Sequence, residues 1–309
     1  GTANTTADSG SVTIDLTAPT LTIAIASDNS DTTLAKSGDA ITLTITTSES
    51  IPRTASAVTT GYQYSCAILD DASLYCWGRN HVGQIGDGTT TDRLTPVSVS
   101  LPSGRTASAV AAGYFHTCAI LDDGSVWCWG SNSDGQLGVG NRSSGSWAYS
   151  PNQALLPSGV DAVAISLGSG HTCVVVDDGR AFCWGYNGDG NIGDGTSGTD
   201  RVTPTEVSGT ASYVSISSGS NHNCAITDIG TVKCWGDNWN QALGLGYYTP
   251  SDQTTPQDAA LPAGIEVTSI SLGITHSCAV LDTMSVYCWG NDDSYQLGTS
   301  YICEGGDNT

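Results

Sequence analysis

The stretch Gly113-Tyr114-Phe115-His116-Thr117-Cys118-Ala119-Ile120-Leu121-Asp122-Asp123-Gly124-Ser125-Val126-Trp127-Cys128-Trp129-Gly130 decides the fold. Residues 116–121 alternate as a strand, Asp122-Asp123-Gly124 turns, and residues 125–129 return, the pattern of a hairpin whose three-residue loop ends on a left-handed glycine. Counted outward from that loop, Leu121 faces Ser125 as a hydrogen-bonded pair. Ile120 with Val126, and Cys118 with Cys128, then fall in the closer, non-hydrogen-bonded class, with Cα atoms ~4.5 Å apart. A disulfide can bridge that separation. The hairpin is therefore expected to carry its own clasp, which contributes roughly 2.5 to 3 kcal/mol of chain entropy for so short a loop.

The cassette occurs five times, with cysteine pairs Cys66 and Cys76, Cys118 and Cys128, Cys173 and Cys183, Cys224 and Cys234, Cys278 and Cys288. Successive second cysteines lie 52, 55, 51 and 54 residues apart, room for four short strands with their turns. Self-similarity at this period marks propellers and solenoids. One further strand is read before each hairpin, at 108–113, 163–168, 214–219 and 269–273. Another is read after it, opened by a proline, at 96–101, 151–156, 204–207 and 256–261; proline suits an edge strand. Four strands make one blade, so the expected fold class is all-β: a β-propeller of about five four-stranded blades, behind an N-terminal, incomplete immunoglobulin-like β segment.

The cassette is open to two other chemistries. His116 and Cys118 share a strand face with Cys128 opposite, three soft ligands for zinc. Against this, Tyr64 replaces the histidine in the first copy while Cys66 and Cys76 remain, and no fourth ligand recurs. Disulfides are the preferred reading and no metal is assigned. His116, His171, His222 and His276 repeat once per blade, which marks a hydrogen-bonded structural position and not a Ser-His-Asp or Cys-His site. No catalytic residue is assigned and the chain is read as a non-enzyme. Trp77, Trp129, Trp184, Trp235 and Trp289 are read as packing between blades.

Nine Lys plus Arg face thirty Asp plus Glu, a formal charge of -21, so nucleic acid and anionic membranes are poor partners. Asp outnumbers Glu 26 to 4, which suits turns. No cofactor is assigned; Asp clusters are weak Ca²⁺ candidates, none with the spaced ligand loop that would be specific. No apolar run reaches the ~18 residues of a membrane helix, and a leader peptide, if there was one, is read as already removed. Paired cysteines argue for an oxidising compartment, hence an extracellular or cell-surface location. Asn4 and Asn141 lie in glycosylation sequons.

The run Gly-x-x-His-x-Cys-Ala-Ile-Leu, Asp-Gly, Cys-Trp-Gly-x-Asn-x-x-Gly-Gln-Leu-Gly resembles the repeat of the regulator of chromosome condensation family of β-propellers over residues 51–299. Trp129, Gly130, Asn132, Gly135, Gln136, Leu137 and Gly138 all fall in register. It looks like the cysteine-bearing, exported branch found in microbial surface proteins. Typical members have seven blades against five counted here, so the resemblance implies a smaller ring or blades outside this chain. The family's nuclear member binds chromatin and exchanges nucleotide; the acidic balance gives no ground to carry either activity over.

Residues 1–50 lack Trp and Cys and read as Thr-rich strands at 11–16, 21–26 and 41–47 that resemble pieces of bacterial immunoglobulin-like repeats. A full sandwich needs about seven strands, so these must pair with something. The strand at 41–47 is expected to close the propeller as an outer blade strand. The earlier two are expected to complete a sandwich in another copy by strand addition, which does not close on itself and gives fibres. Cys303, in the tail 300–309, is read as an intermolecular link or a buried free thiol. Aromatics that break the repeat, Trp147, Tyr149, Trp239, Tyr247, Tyr248 and Tyr301, are the candidate interface residues. The expected function is a non-catalytic, exported surface protein: a structural or self-assembling subunit of a fibre, stalk or adhesin joined by strand exchange. The alternative is a monomeric propeller that recognises a protein or glycan.

Overall fold

The computed structural model describes residues 10–15, 20–27 and 41–47 as strands, then residues 52–142 and 147–298, with side chains from residue 54 onward. Every helix-or-strand element among the described residues is a strand. Three come first: β1 (Gly10–Asp15), β2 (Thr20–Ser27) and β3 (Ile41–Thr47). Blade 1 holds β4 (Pro52–Gly61), β5 (Tyr64–Leu69), β6 (Leu74–Gly78) and β7 (Arg93–Ser98). Blade 2 holds β8 (Ala107–Ala112), β9 (His116–Leu121), β10 (Val126–Ser131) and β11 (Trp147–Gln153). Blade 3 holds β12 (Ala162–Leu167), β13 (His171–Val176), β14 (Ala181–Gly185) and β15 (Arg201–Glu206). Blade 4 holds β16 (Tyr213–Ser218), β17 (His222–Thr227), β18 (Val232–Gly236) and β19 (Gln253–Asp258). Blade 5 holds β20 (Val267–Leu272), β21 (His276–Leu281) and β22 (Val286–Gly290), a sheet of three. The protein is thus an all-β propeller of five antiparallel blades.

The hairpin register is the one the cysteine spacing requires. Cys118 lies opposite Cys128 and Ile120 opposite Val126, with the Leu121 amide on the Ser125 carbonyl at 2.9 Å. All five cysteine pairs are disulfides, with Cα atoms 4.1 to 4.2 Å apart. The hairpin turn needs a left-handed residue. Gly124 supplies it at φ 73°, whereas Ala72 and Met284 take the same conformation at 59° and 65°.

The outer strands differ from the sequence reading: each begins about three residues before its proline. Arg93 already pairs with Gly78 and Val97 with Cys76, and a register shift lies between the two pairings. Pro96, Pro151, Pro204 and Pro256 sit in that irregular stretch. An edge strand has no neighbour on one side, and a bulge releases ladder hydrogen bonds on the other, so a residue without an N–H is tolerated mid-strand.

Sheets pack face to face, so the core lies between blades. One face of blade 2, with Cys118, Ile120, Val126 and Cys128, packs on Ala162, Val174, Val176 and Trp184 of blade 3. The same arrangement joins blade 1 to 2, 3 to 4 and 4 to 5. The second strand of blades 2 to 4 is consequently buried on both sides and loses polar alternation. Inner strands pack consecutively, β4 on β8, β8 on β12, β12 on β16 and β16 on β20. Among the described residues no strand of blade 5 packs along blade 1 in that way.

The N-terminal strands pair in cis. β2 lies between β1 and β3, and β3 continues onto Pro52, Arg53 and Thr54 of β4, whose remainder belongs to blade 1. One sheet therefore runs in order from β1 to β7, and β1 comes back beside β7. Two expectations are not met by these ladders: strand 41–47 does not complete blade 5, and β1 and β2 are not left for a second copy. β3 lies between β2 and the first residues of β4, so it and the two earlier strands are paired within this chain, while β22 has no outer partner among the described residues. Asn4, Tyr301, Cys303 and the tail 300–309 lie outside the described residues.

Candidate functional site: the loop end of the propeller

Within each blade the first-to-second and third-to-fourth strand connections emerge at one end, as in any four-stranded meander. What holds those connections explains the cassette. Asn80, Asn132, Asn187 and Asn238 are buried, and each accepts through its side-chain oxygen the amide of the residue five on, Ile85, Leu137, Ile192 and Leu243. Asp292 does the same for Leu297. The loop so fixed presents one carbonyl to the next blade. The Gln84 carbonyl accepts Thr117 Oγ1 at 2.8 Å and Trp129 Nε1 at 2.9 Å. Gln136, Asn191 and Ala242 repeat this with Thr172 and Trp184, Asn223 and Trp235, Ser277 and Trp289. Each indole lies against the loop's last glycine: a Cβ on Gly138 would sit 2.7 Å from Trp184 Nε1.

The histidines point the other way, into the following blade. His116 Nε2 lies 2.9 Å from Thr172 Oγ1, His171 Nε2 2.8 Å from Asn223 Oδ1, and His222 Nε2 3.0 Å from Ser277 Oγ. The Thr172 and Ser277 hydroxyl protons are committed to the Gln136 and Ala242 carbonyls, so the imidazole Nε2–H must donate. Burial depresses the three imidazoles, His116 and His222 to about 3 and His171 to about 4. They are neutral rivets between blades. Tyr64, in the histidine position of blade 1, donates its hydroxyl to the His116 carbonyl at 2.6 Å, and burial pushes its phenol up. A buried imidazole whose N–H is already given to the neighbouring blade has no route to a substrate.

What this frame leaves at the loop end is a surface of two characters. Over blades 1 and 2, Tyr62 and Tyr114 stack with centroids 4.3 Å apart and planes 7° from parallel; Phe115 meets both edge-on. The Arg79 guanidinium lies 5.9 Å over the Phe115 ring. Both tyrosines remain about 40% exposed. Over blades 2 to 4 the loops bring carboxylates together. Partial burial, then the charge of Asp200, raises Asp134 above the usual carboxylate range. Burial followed by Asp252 and Asp237 raises Asp189, and burial followed by Asp237 raises Asp252. The Tyr186 phenol is raised by its own burial and then by Asp189, Asp200, Asp134 and Asp252. Arg142 pairs with Asp200. These carboxylates repel one another, and a cation brought to them would relieve that repulsion.

Of the aromatics expected at an interface, Trp147, Tyr149, Trp239, Tyr247 and Tyr248 are exposed, Trp239 by 74%. Trp239 sits on the blade 4 loop, its amide on Asp237 Oδ1. Trp147 and Tyr149 lie on the outer strand β11 instead. Among the described residues no ring contact joins them. Asn141 is exposed, its carbonyl taking the Asn132 side chain. The sequence reading passed over Tyr62, Tyr114 and Phe115, which follow the cassette glycine at positions where blades 3 to 5 carry no aromatic residue.

Comparison with known proteins places this arrangement. The family model described as RCC1-like domain matches residues 28–307. The Ultraviolet-B receptor UVR8 of Arabidopsis thaliana is 31% identical over 240 residues, 77% of this chain and 53% of the receptor. The mitochondrial RCC1 domain-containing protein RUG3 of the same plant is 32% identical over 242 residues, 73% of this chain and 53% of that protein. The chain thus spans about half the length of these curated relatives. Among solved structures, human WBSCR16 superposes with a TM-score of 0.70 at 22% identity, covering 81% of this chain and 65% of that one. Yeast RCC1 (Prp20), solved with Kap60, superposes with a TM-score of 0.67 at 19% identity, covering 89% and 63%; both likenesses are of fold.

Proposed function

Because this chain belongs to the RCC1-like domain family, we propose that it works as a non-catalytic binding module whose loop end recognises a basic segment of a protein partner. One observation carries the reading: stacked Tyr62 and Tyr114 with Phe115 share that end with carboxylates from neighbouring loops that raise one another above their usual range, with Arg142 on Asp200 as the cation among them. Aromatic faces take cationic or apolar side chains, and clustered negative charge draws a basic chain in. Five disulfides support an oxidising, exported setting. No helix among the described residues is long and apolar enough to cross a membrane. The finer reading, a fibre, stalk or adhesin subunit joined by strand exchange, would need β1 and β2 to leave the cis ladders they occupy; recognition needs no such rearrangement.

The test is fluorescence anisotropy of a labelled Lys- and Arg-rich peptide. Binding should fall with salt and weaken about tenfold or more in Asp134→Asn/Asp189→Asn/Asp252→Asn and in Tyr62→Ala/Tyr114→Ala. The triple variant Asp177→Asn/Asp228→Asn/Asp282→Asn, at the hairpin turns of the opposite end, removes equal charge and should leave binding unchanged. Equal weakening by both charge triplets would mean attraction to the net charge alone and would sink the proposal.

A further inference from the structure

Blade 4 departs from the repeat at three positions that lie together, at the hairpin-turn end of the propeller. Tyr213 stands on its first strand where the other blades have Ala55, Ala107, Ala162 and Val267, and Thr227 lies across from it in place of Leu69, Leu121, Val176 and Leu281. On the third strand Lys233 replaces an aromatic residue that every other blade carries, Tyr75, Trp127, Phe182 or Tyr287. The three line a cavity of about 760 Å³, a size typical of small-molecule sites. The linker from blade 3 walls it on one side, and Ile229, Pro256 and Asp258 on the other.

Two of the three polar groups are already spent. Thr227 Oγ1 lies 2.7 Å from Thr231 Oγ1, and Lys233 Nζ lies 2.7 Å from Asp258 Oδ1, on a carboxylate that is 74% exposed. Tyr213 is different. It is 4% exposed, its ring lies by Trp235 in the core between blades 3 and 4, and its hydroxyl has no hydrogen-bond partner among the described residues. Burial, then the charge of Asp258, pushes the phenol up to about 12, so it stays a neutral O–H donor, with its polar end on the Asp258 side, that of the cavity. A buried hydroxyl left unpaired is destabilising, and phenylalanine would fill the same core without that cost. Ser208, Thr210 and Ser212 on the linker add hydroxyls that also have no protein partner among the described residues.

We propose that this cavity binds a neutral saccharide, one of whose oxygens accepts the Tyr213 hydroxyl while its own hydroxyls bond the linker and the Asp258 carboxylate. The ligand must accept the phenolic proton, which a cation cannot do. An anion gains nothing, because Lys233 is paired with Asp258 and Asp228 also lies on the wall. A sugar hydroxyl both donates and accepts, as the serine and threonine hydroxyls facing it do. Ile229, 71% exposed, and Pro256 offer an apolar surface to the C–H face of a sugar ring. The exposed Lys233–Asp258 pair is held weakly and yields as the ligand reaches the phenol. The site lies at the opposite end from the loops and is independent of the loop-end reading.

The test is binding of the labelled full chain to a glycan microarray carrying neutral oligosaccharides cut from polysaccharides, neutral glycans of the protein-linked type, and sialylated or uronate-bearing counterparts of both. Neutral members should bind, and whichever neutral set does so tells a polysaccharide source from a glycoprotein one. Tyr213→Phe removes one oxygen and should weaken binding of the best neutral member about tenfold or more, while its urea midpoint holds or rises. Lys233→Phe, which restores the residue type of blade 3, should weaken binding as much by filling the cavity, with circular dichroism checking that it folds. An array on which no neutral glycan binds overturns the proposal, as does binding confined to the acidic members. So does binding that survives either substitution, which would leave water as the partner of the phenol, or a lower midpoint in Tyr213→Phe, which would mean that the hydroxyl is already partnered within the fold.

Discussion

Blades 3 and 5 carry the same cassette and fold into the same hairpin, yet they are not equally built into the molecule. Val175 and Cys173 are fully buried in blade 3; the matching Val280 and Cys278 in blade 5 are not. Among the described residues blade 3 is a four-stranded sheet covered on both faces, whereas blade 5 is a three-stranded sheet covered on one. A blade is therefore half of two cores and the whole of none. Its stability is a sum of what it contains, a disulfide and a ladder, and what it shares, the interface on each side.

The sharpest way to break that comparison is at the tryptophans. Trp184→Ala empties an inter-blade core and removes a buried hydrogen bond, and should cost about 3 to 5 kcal/mol in urea unfolding. Trp77→Ala, at a half-buried indole with no hydrogen bond among the described residues, should cost about 1 kcal/mol or less. Equal losses would mean that the indole matters within its own blade.

Acid should act on interior interfaces. His116, His171 and His222 are held near 3 to 4 by burial, below the unfolded value of about 6.5. Between those values the unfolded chain binds protons that the folded chain refuses, so stability is complete above the unfolded pKa and is lost as pH falls through it. Three such groups give a slope of up to about 4 kcal/mol per pH unit between pH 6 and 5. A urea midpoint that stays flat across that interval would contradict neutral, interior imidazoles.

The disulfides sharpen the comparison from a different side. Each closes the same ten-residue separation, so removing any pair by Cys→Ser should forfeit roughly 2.5 to 3 kcal/mol of chain entropy. Accessibility is not equal. Under mild reductant, Cys278 and Cys288 should be alkylated before Cys173 and Cys183, read by mass spectrometry of the peptides. The smallest effect lies in the hairpin turns. Met284→Gly and Ala72→Gly relieve left-handed residues, recovering roughly 1 to 2 kcal/mol of strain against about 0.4 to 1 kcal/mol of added unfolded-state entropy, so each should gain about 1 kcal/mol or less. Gly124→Ala should lose at least as much, because its Cβ would also meet Asp161 at 2.4 Å.

How much of this could be read from the chain depends on where each contact lies in sequence. Cys118 and Cys128 are ten residues apart across one tight turn, so counting gave their register and the clasp. The tryptophans were legible as inter-blade packing because they recur at a fixed position. The outer strands were placed late, because Pro96 and its counterparts mark a bulge within the strand and the residues before them alternate poorly. Tyr62 and Tyr114 were passed over: they sit one repeat apart at the position after the cassette glycine, but Ser169, Ser220 and Ile274 hold that position in the other blades, and only the packing of one blade on the next brings the two rings together. The carboxylates around Tyr186 come from the loops of three blades, Asp134, Asp189 with Asp200, and Asp252, and in sequence each looks like an ordinary turn residue.

One feature of the wiring reaches past this molecule. The acceptor that each blade offers its neighbour is a main-chain oxygen, and the residue bearing it is Gln84, Gln136, Asn191 or Ala242. A peptide group cannot be deleted by point substitution. Drift at that position leaves the coupling intact, as Ala242 demonstrates, and a duplicated or transplanted repeat arrives with its socket already in place. Arrays of this kind can lengthen, shorten or exchange units during evolution without first having to invent compatible surfaces.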